Sequence, residues 1–174
     1  QTPDGNFGPP DNLDWWPRMV MLKALLQHQE ASGDPRVIPF MTRYFRYQEA
    51  TLLQRPLEGW GAARAAENIY CLHWLYNRTG EPFLLSLAAL IHRQGLDWTD
   101  ILTEFPYTRP IDWYYDWSRM VRELPSLPVA QELMRYHSHH VVNVAMGIKN
   151  PGVYYAQSHD ERQRRAVFQG IDSL

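Results

Sequence analysis

The sequence predicts an all-α fold built from repeated αα-hairpins, and three observations carry that prediction. A helix–turn–helix junction recurs along the chain, and the apolar residues between junctions fall at helical spacing. No segment alternates apolar and polar residues in the period-2 pattern that specifies a strand.

The junction reads Ser32-Gly33-Asp34-Pro35 in its first copy and Thr79-Gly80-Glu81-Pro82 in its second, with the two glycines 47 residues apart. The same offset relates Arg46 to Arg93. A third copy, Ser158-His159-Asp160-Glu161, puts histidine where the others have glycine. Each part of the motif has a physical reason. Glycine just beyond a helix takes the left-handed conformation without a Cβ penalty. An acidic residue then opens the next helix, and proline fits a first turn where its missing N–H costs nothing. A hairpin period in the forties is typical of repeat or toroid architectures, in which each hairpin buries its apolar face only against its neighbours.

The helices are expected in the following order. The first runs from about Asp14, its N-cap, to Ser32, with the apolar stripe Trp15, Met19, Leu22, Leu25 and Leu26. The second spans about Pro35 to Leu53, burying Val37, Phe40, Met41, Tyr44 and Phe45. The third covers about Ala62 to Arg78, with Ala66, Ile69, Tyr70, His73, Trp74 and Tyr76 as its apolar face. The fourth covers about Phe83 to Gln94. Residues from about 95 to 127 hold Pro106, Pro110, Pro125 and many aromatics, and read as an ordered loop with a short helix near Asp116 to Glu123. A fifth helix runs from about His140 to Gln157, kinked near Pro151, and a sixth begins near Asp160. The organisation expected is a single helical domain over residues 1–174, forming part of a helical toroid.

Composition narrows the functional classes. The net charge of −2 leaves no basic footprint for nucleic acid, and no apolar run approaches the ~20 residues that a membrane span needs. The lone Cys71 forms no internal disulfide and is no metal site by itself; its mid-helix position suits a buried thiol. Aromatic residues make up 13% of the chain, with seven Trp and ten Tyr, enough to line a sugar site as well as fill a core. An indole face is a flat apolar platform with a polar tip, which matches a sugar ring's apolar C–H face and hydroxylated edge.

Three strings carry a resemblance: Asp11-Asn12-Leu13-Asp14-Trp15-Trp16-Pro17-Arg18, Trp74-Leu75-Tyr76-Asn77-Arg78-Thr79-Gly80-Glu81 and His140-Val141-Val142-Asn143-Val144-Ala145-Met146-Gly147. Together they resemble the β-L-arabinofuranosidase family of glycosidases, glycoside hydrolase family 127, over nearly the whole chain. The resemblance implies a six-hairpin, (α/α)6 barrel catalytic domain, of which this chain supplies a middle portion. It also implies retaining hydrolysis of plant cell-wall furanosides of the pectic, arabinofuranoside-like kind. In the longer enzyme a cysteine nucleophile sits beside a zinc held by cysteines and a glutamate, with a separate glutamate as acid/base. Here the chain departs from the pattern: no cysteine follows Asn143, and Cys71 matches neither nucleophile nor ligand. The expectation is therefore a chain without the catalytic cysteine/glutamate half, with no catalytic residue and no metal or cofactor of its own. The rest of the polypeptide, or a second copy, is expected to cover the exposed hairpin ends. The family also implies a secreted or periplasmic bacterial protein.

Two groups of candidate substrate-binding residues follow. His140, heading the His-Val-Val-Asn helix with Asn143, matches a family histidine that contacts sugar; a neutral imidazole both donates to and accepts from hydroxyls. Glu67 matches an acidic position beside a second such histidine, which is replaced here by Ala65. Trp60 and Arg64 precede Glu67, and Asp14, Trp15, Trp16 and Arg18 surround the start of the first helix. Trp15 and Trp16 read equally as a sugar platform or as core. Arg18 or Arg64 is a candidate partner for the carboxylate of an acidic sugar. Two other classes of function remain open: a non-catalytic helical-hairpin module binding sugar or protein, and another six-hairpin enzyme such as an unsaturated uronyl hydrolase.

Overall fold

The computed structural model describes residues 1–9, 11–105 and 136–173, together with Arg109, Trp113, Asp116, Ser118 and Arg122. Among the described residues every regular element is helical and none is a strand, so the fold class is all-α. The helices are α1 (Trp16–Ser32), α2 (Val37–Thr51), α3 (Gly59–Ala63), α4 (Ala65–Thr79), α5 (Phe83–Gln94), α6 (Trp98–Thr103), α7 (Val141–Gly147), α8 (Lys149–Ser158) and α9 (Glu161–Asp172). They fall into two compact units, Gln1–Gly95 and Leu96–Leu174.

In the first unit the hairpins α1–α2 and α4–α5 lie against each other, α4 packing on α1, α2 and α5. Met19, Leu22, Met41, Tyr44, Phe45, Ile69, Leu72, Leu75, Leu84 and Ile91 are fully buried between them. The seam between α2 and α4 also buries polar groups, where Asn68 Nδ2 donates to Gln48 Oε1 at 2.9 Å. Electrostatic contacts tie the hairpins at their far ends. Arg46 on α2 reaches Glu81 at 2.8 Å and lies 3.3 Å over the Phe83 ring. At the end of α4, Arg78 pairs with Glu30 of α1, which also accepts the Trp74 indole N–H at 2.6 Å.

All three junctions adopt the expected turn. Gly33 (φ 68°), Gly80 (φ 69°) and His159 (φ 56°) are left-handed, and each amide donates to the carbonyl four residues back at 2.8–3.0 Å. The first residue of each copy adds a side-chain contact of its own. The hydroxyls of Ser32, Thr79 and Ser158 accept the amides of Asp34, Glu81 and Asp160 at 3.2, 3.4 and 3.2 Å. The acidic residues then start the next helix, as Asp34 and Asp160 accept the amides of Arg36 and Arg162 at 2.9 Å each. Asp14 Oδ1 does the same for Trp16 at 2.9 Å.

Expectations for the helix over 62–78 need correction. The helix drawn over 62–78 is two helices, α3 and α4, parted at Arg64 (φ −113°, ψ 22°). Its apolar face is also rotated: Tyr70 is 45% exposed, while Glu67 and Asn68 are buried with Ile69 and Leu72. Periodicity alone assigned Tyr70 inward because tyrosine counts as apolar, whereas its hydroxyl tolerates solvent. The helix over 140–157 divides at Ile148 into α7 and α8, close to the interruption expected near Pro151, which has no N–H to offer the Gly147 carbonyl one turn back.

In the second unit α6 packs on α8 and α9, and α8 on α7 and α9. Trp98, Leu102, Val144 and Ala166 form its core, edged by Leu96, Ile101, Phe105 and Ile148. Helix α6 lies inside the stretch read as loop; Asp97 caps it by accepting the Asp100 amide at 3.1 Å. The rest of that loop, and the short helix drawn near Asp116 to Glu123, lie outside the described residues apart from five isolated positions. Two glycines set the packing distance here. A Cβ on Gly147 would stand 2.4 Å from the Trp98 ring, and one on Gly170 would stand 2.7 Å from Leu102. Among the described residues no helix is long and apolar enough to cross a membrane.

Candidate functional site

In the first unit the starts of α1, α3 and α4 converge, and most of the candidate residues stand there. Gly61 permits the approach: a Cβ there would already touch Trp15 Cβ at 3.4 Å and Asp14 Oδ1 at 3.6 Å. Trp60 on α3 and Trp16 on α1 both present their rings to Arg64, whose guanidinium carbon lies 4.7 and 4.3 Å from the two ring centroids. Each such contact is worth about 0.5–2 kcal/mol, the larger values applying where water is excluded. Arg64 is half-buried, and desolvation lowers its pKa against the opposing pull of the nearby carboxylates of Asp14 and Glu67. Glu67, 1% exposed, is matched in charge by Lys23 of α1, whose Nζ lies 2.6 Å from Glu67 Oε2.

The cluster thus alternates in sign, Asp14, Arg64, Glu67, Lys23, behind two half-buried indoles. Its chemistry suits a neutral or anionic polyol. The indoles offer apolar faces, and the charged groups behind them can donate to or accept from hydroxyls. Lys23 escaped the sequence reading because its link to Glu67 joins two helices far apart in the chain. No local spacing marks it.

Two residues of this group have other occupations. Trp15 is core: it is 2% exposed, its indole N–H donates to the Arg55 carbonyl at 3.1 Å, and the Arg55 guanidinium covers its ring at 3.9 Å. Arg18 is 2% exposed and holds the N-terminal segment to α1. Its guanidinium donates to the carbonyls of Asn12 (2.9 Å), Asp14 (2.8 Å) and Pro9 (3.5 Å) and to Asn6 Oδ1 (3.2 Å). With its donors so engaged, Arg18 is not placed to read a ligand carboxylate, and Arg64 is the remaining candidate of the two.

His140 and Asn143 stand in the second unit. His140 is the half-buried residue at the head of α7 (φ −60°, ψ 119°), its ring edge-on to Tyr136 at 5.6 Å. Asn143 is fully buried and braces the turn before α7, Nδ2 donating to the His137 carbonyl at 3.0 Å. Asn143 therefore orients the histidine segment from within, and His140 is the more accessible of the two.

The described residues do not fit a zinc ion. Cys71 is a fully buried residue of α4, and no group of three or more His, Cys, Asp or Glu among the described residues is arranged to hold a metal.

Residues 1–167 match the family model described as β-L-arabinofuranosidase, GH127 catalytic domain. No curated protein and no solved structure matches the chain.

Proposed function

From the premise that this chain belongs to the β-L-arabinofuranosidase family, GH127, and to its all-helical catalytic domain, we propose that it supplies a sugar-binding wall of a glycoside hydrolase acting on pectic, arabinofuranoside-like cell-wall sugars. The observation that carries this reading is the Trp16–Arg64–Trp60 stack beside Asp14 and Glu67. A furanoside ring packs its C–H face on an indole and turns its hydroxyls toward Arg64 and the carboxylates, which burial strengthens as hydrogen-bonding partners. His140, at a helix start of the second unit, is a separate candidate for a sugar hydroxyl, since a neutral imidazole both donates and accepts. Asn143 and Lys23 act through the residues they hold.

The residues described here bind and orient, and no bond-breaking step is assigned to them. Arg64 is the group we assign to a sugar carboxylate where the substrate carries one, through a charge-assisted pair. A secreted or periplasmic setting, where pectic polysaccharide is met, accords with that substrate.

Saturation-transfer NMR with methyl β-L-arabinofuranoside and pectic side-chain oligosaccharides tests the proposal. Transfer to the furanoside ring protons is expected, and it should be stronger for ligands bearing a carboxylate. Absence of transfer to any furanoside overturns the proposal. Equal transfer to neutral and acidic sugars removes the carboxylate role of Arg64 alone.

A further inference from the structure

The seam between α2 and α4 holds polar atoms that the fold does not itself satisfy. Gln48 and Asn68 are fully buried and share one hydrogen bond, Asn68 Nδ2 to Gln48 Oε1 at 2.9 Å. Each amide then has one edge left over. Gln48 Nε2, a donor, and Asn68 Oδ1, an acceptor, have no hydrogen-bonding partner among the described residues. Tyr44, whose hydroxyl is also buried and without such a partner, stands one turn back from Gln48 on the same buried face of α2.

Two facing amides can exchange two hydrogen bonds by closing into a ring. Here one bond has formed at 2.9 Å while the reciprocal donor and acceptor remain unpaired. The open edge presents a donor on one side and an acceptor on the other. The small molecule that accepts from the first and donates to the second is water, and buried waters characteristically bridge two to four such groups. We propose that an internal water is bound in this seam. It accepts from Gln48 Nε2 and donates to Asn68 Oδ1, with the Tyr44 hydroxyl as its third partner. The site is independent of the sugar-binding proposal, since none of its three residues belongs to the Trp16–Arg64–Trp60 cluster.

Two measurements on the intact protein decide it. A high-resolution crystal structure should show an ordered density peak within about 3.2 Å of both Gln48 Nε2 and Asn68 Oδ1. In solution, water-selective NOE spectra should give cross-peaks from a long-lived water to the side-chain amide protons of both residues. Amides closed into a doubly bonded pair, or an open edge with neither density nor cross-peaks, would overturn the proposal.

Discussion

At the scale of single residues, backbone conformation and close contact make the sharpest demands. His159 occupies a left-handed position that its two counterparts fill with glycine, at φ 56°. Replacing it by glycine relieves that strain at the cost of some unfolded-state entropy and of the edge-on contact with Tyr155 at 6.1 Å. His159→Gly is expected to stabilise the protein by up to about 1 kcal/mol, read as a higher chemical-denaturation midpoint; a lower midpoint would mean that the Tyr155 contact outweighs the strain. Gly147 is the opposite case. Its Cβ position lies within 2.4–2.6 Å of three atoms of the rigid Trp98 ring. Gly147→Ala should therefore destabilise by about 1–3 kcal/mol through overpacking, with Trp98 fluorescence reporting the displaced ring.

At the scale of elements, the junctions show what was legible in the sequence. The Gly33 and Gly80 turns and the boundaries of α1, α2 and α5 follow from local chemistry: left-handed glycine, acidic helix starts and proline. Their helices end and begin within two residues of where those signals lie. The rotated face of α4 was not legible, because burial of Glu67 and Asn68 depends on Lys23 and Gln48, which arrive from other helices. Nor was α6, whose six residues lie in a proline-rich, aromatic stretch with no period long enough to read. In the candidate site, Arg64 and Trp60 were visible as types, but the stacking that makes them a unit comes from Gly61 bringing α3 onto α1.

The junctions also carry a pH dependence. Asp34 has its pKa lowered chiefly by hydrogen bonds from the Arg36 side chain and then from the Arg36 amide. A carboxyl whose folded pKa lies below its unfolded value, about 3.9, contributes stability above that value and loses it as pH falls further. Asp34 is half-buried but its partner Arg36 is exposed, and solvent screens the pair, so the effect is small. Asp34→Asn should flatten the fall in Tm between about pH 4 and pH 2 relative to the parent. An unchanged slope would show that the Asp34–Arg36 pair adds nothing.

At the scale of the whole molecule, family membership and the all-α fold define the scaffold, and the converging starts of α1, α3 and α4 are where we propose that a sugar meets the first unit. Trp60 is the most informative residue there, since it stacks on Arg64 and is not part of the core that holds α3. The most direct test is the affinity of an arabinofuranosyl oligosaccharide for the parent and for Trp60→Ala, measured by isothermal titration with helix content checked by circular dichroism. Saturable binding by the parent is expected, with an affinity at least about 10-fold weaker in the variant, near 1.4 kcal/mol, and unchanged helicity. A Trp60→Ala variant that binds the oligosaccharide as tightly as its parent would contradict the proposed sugar site.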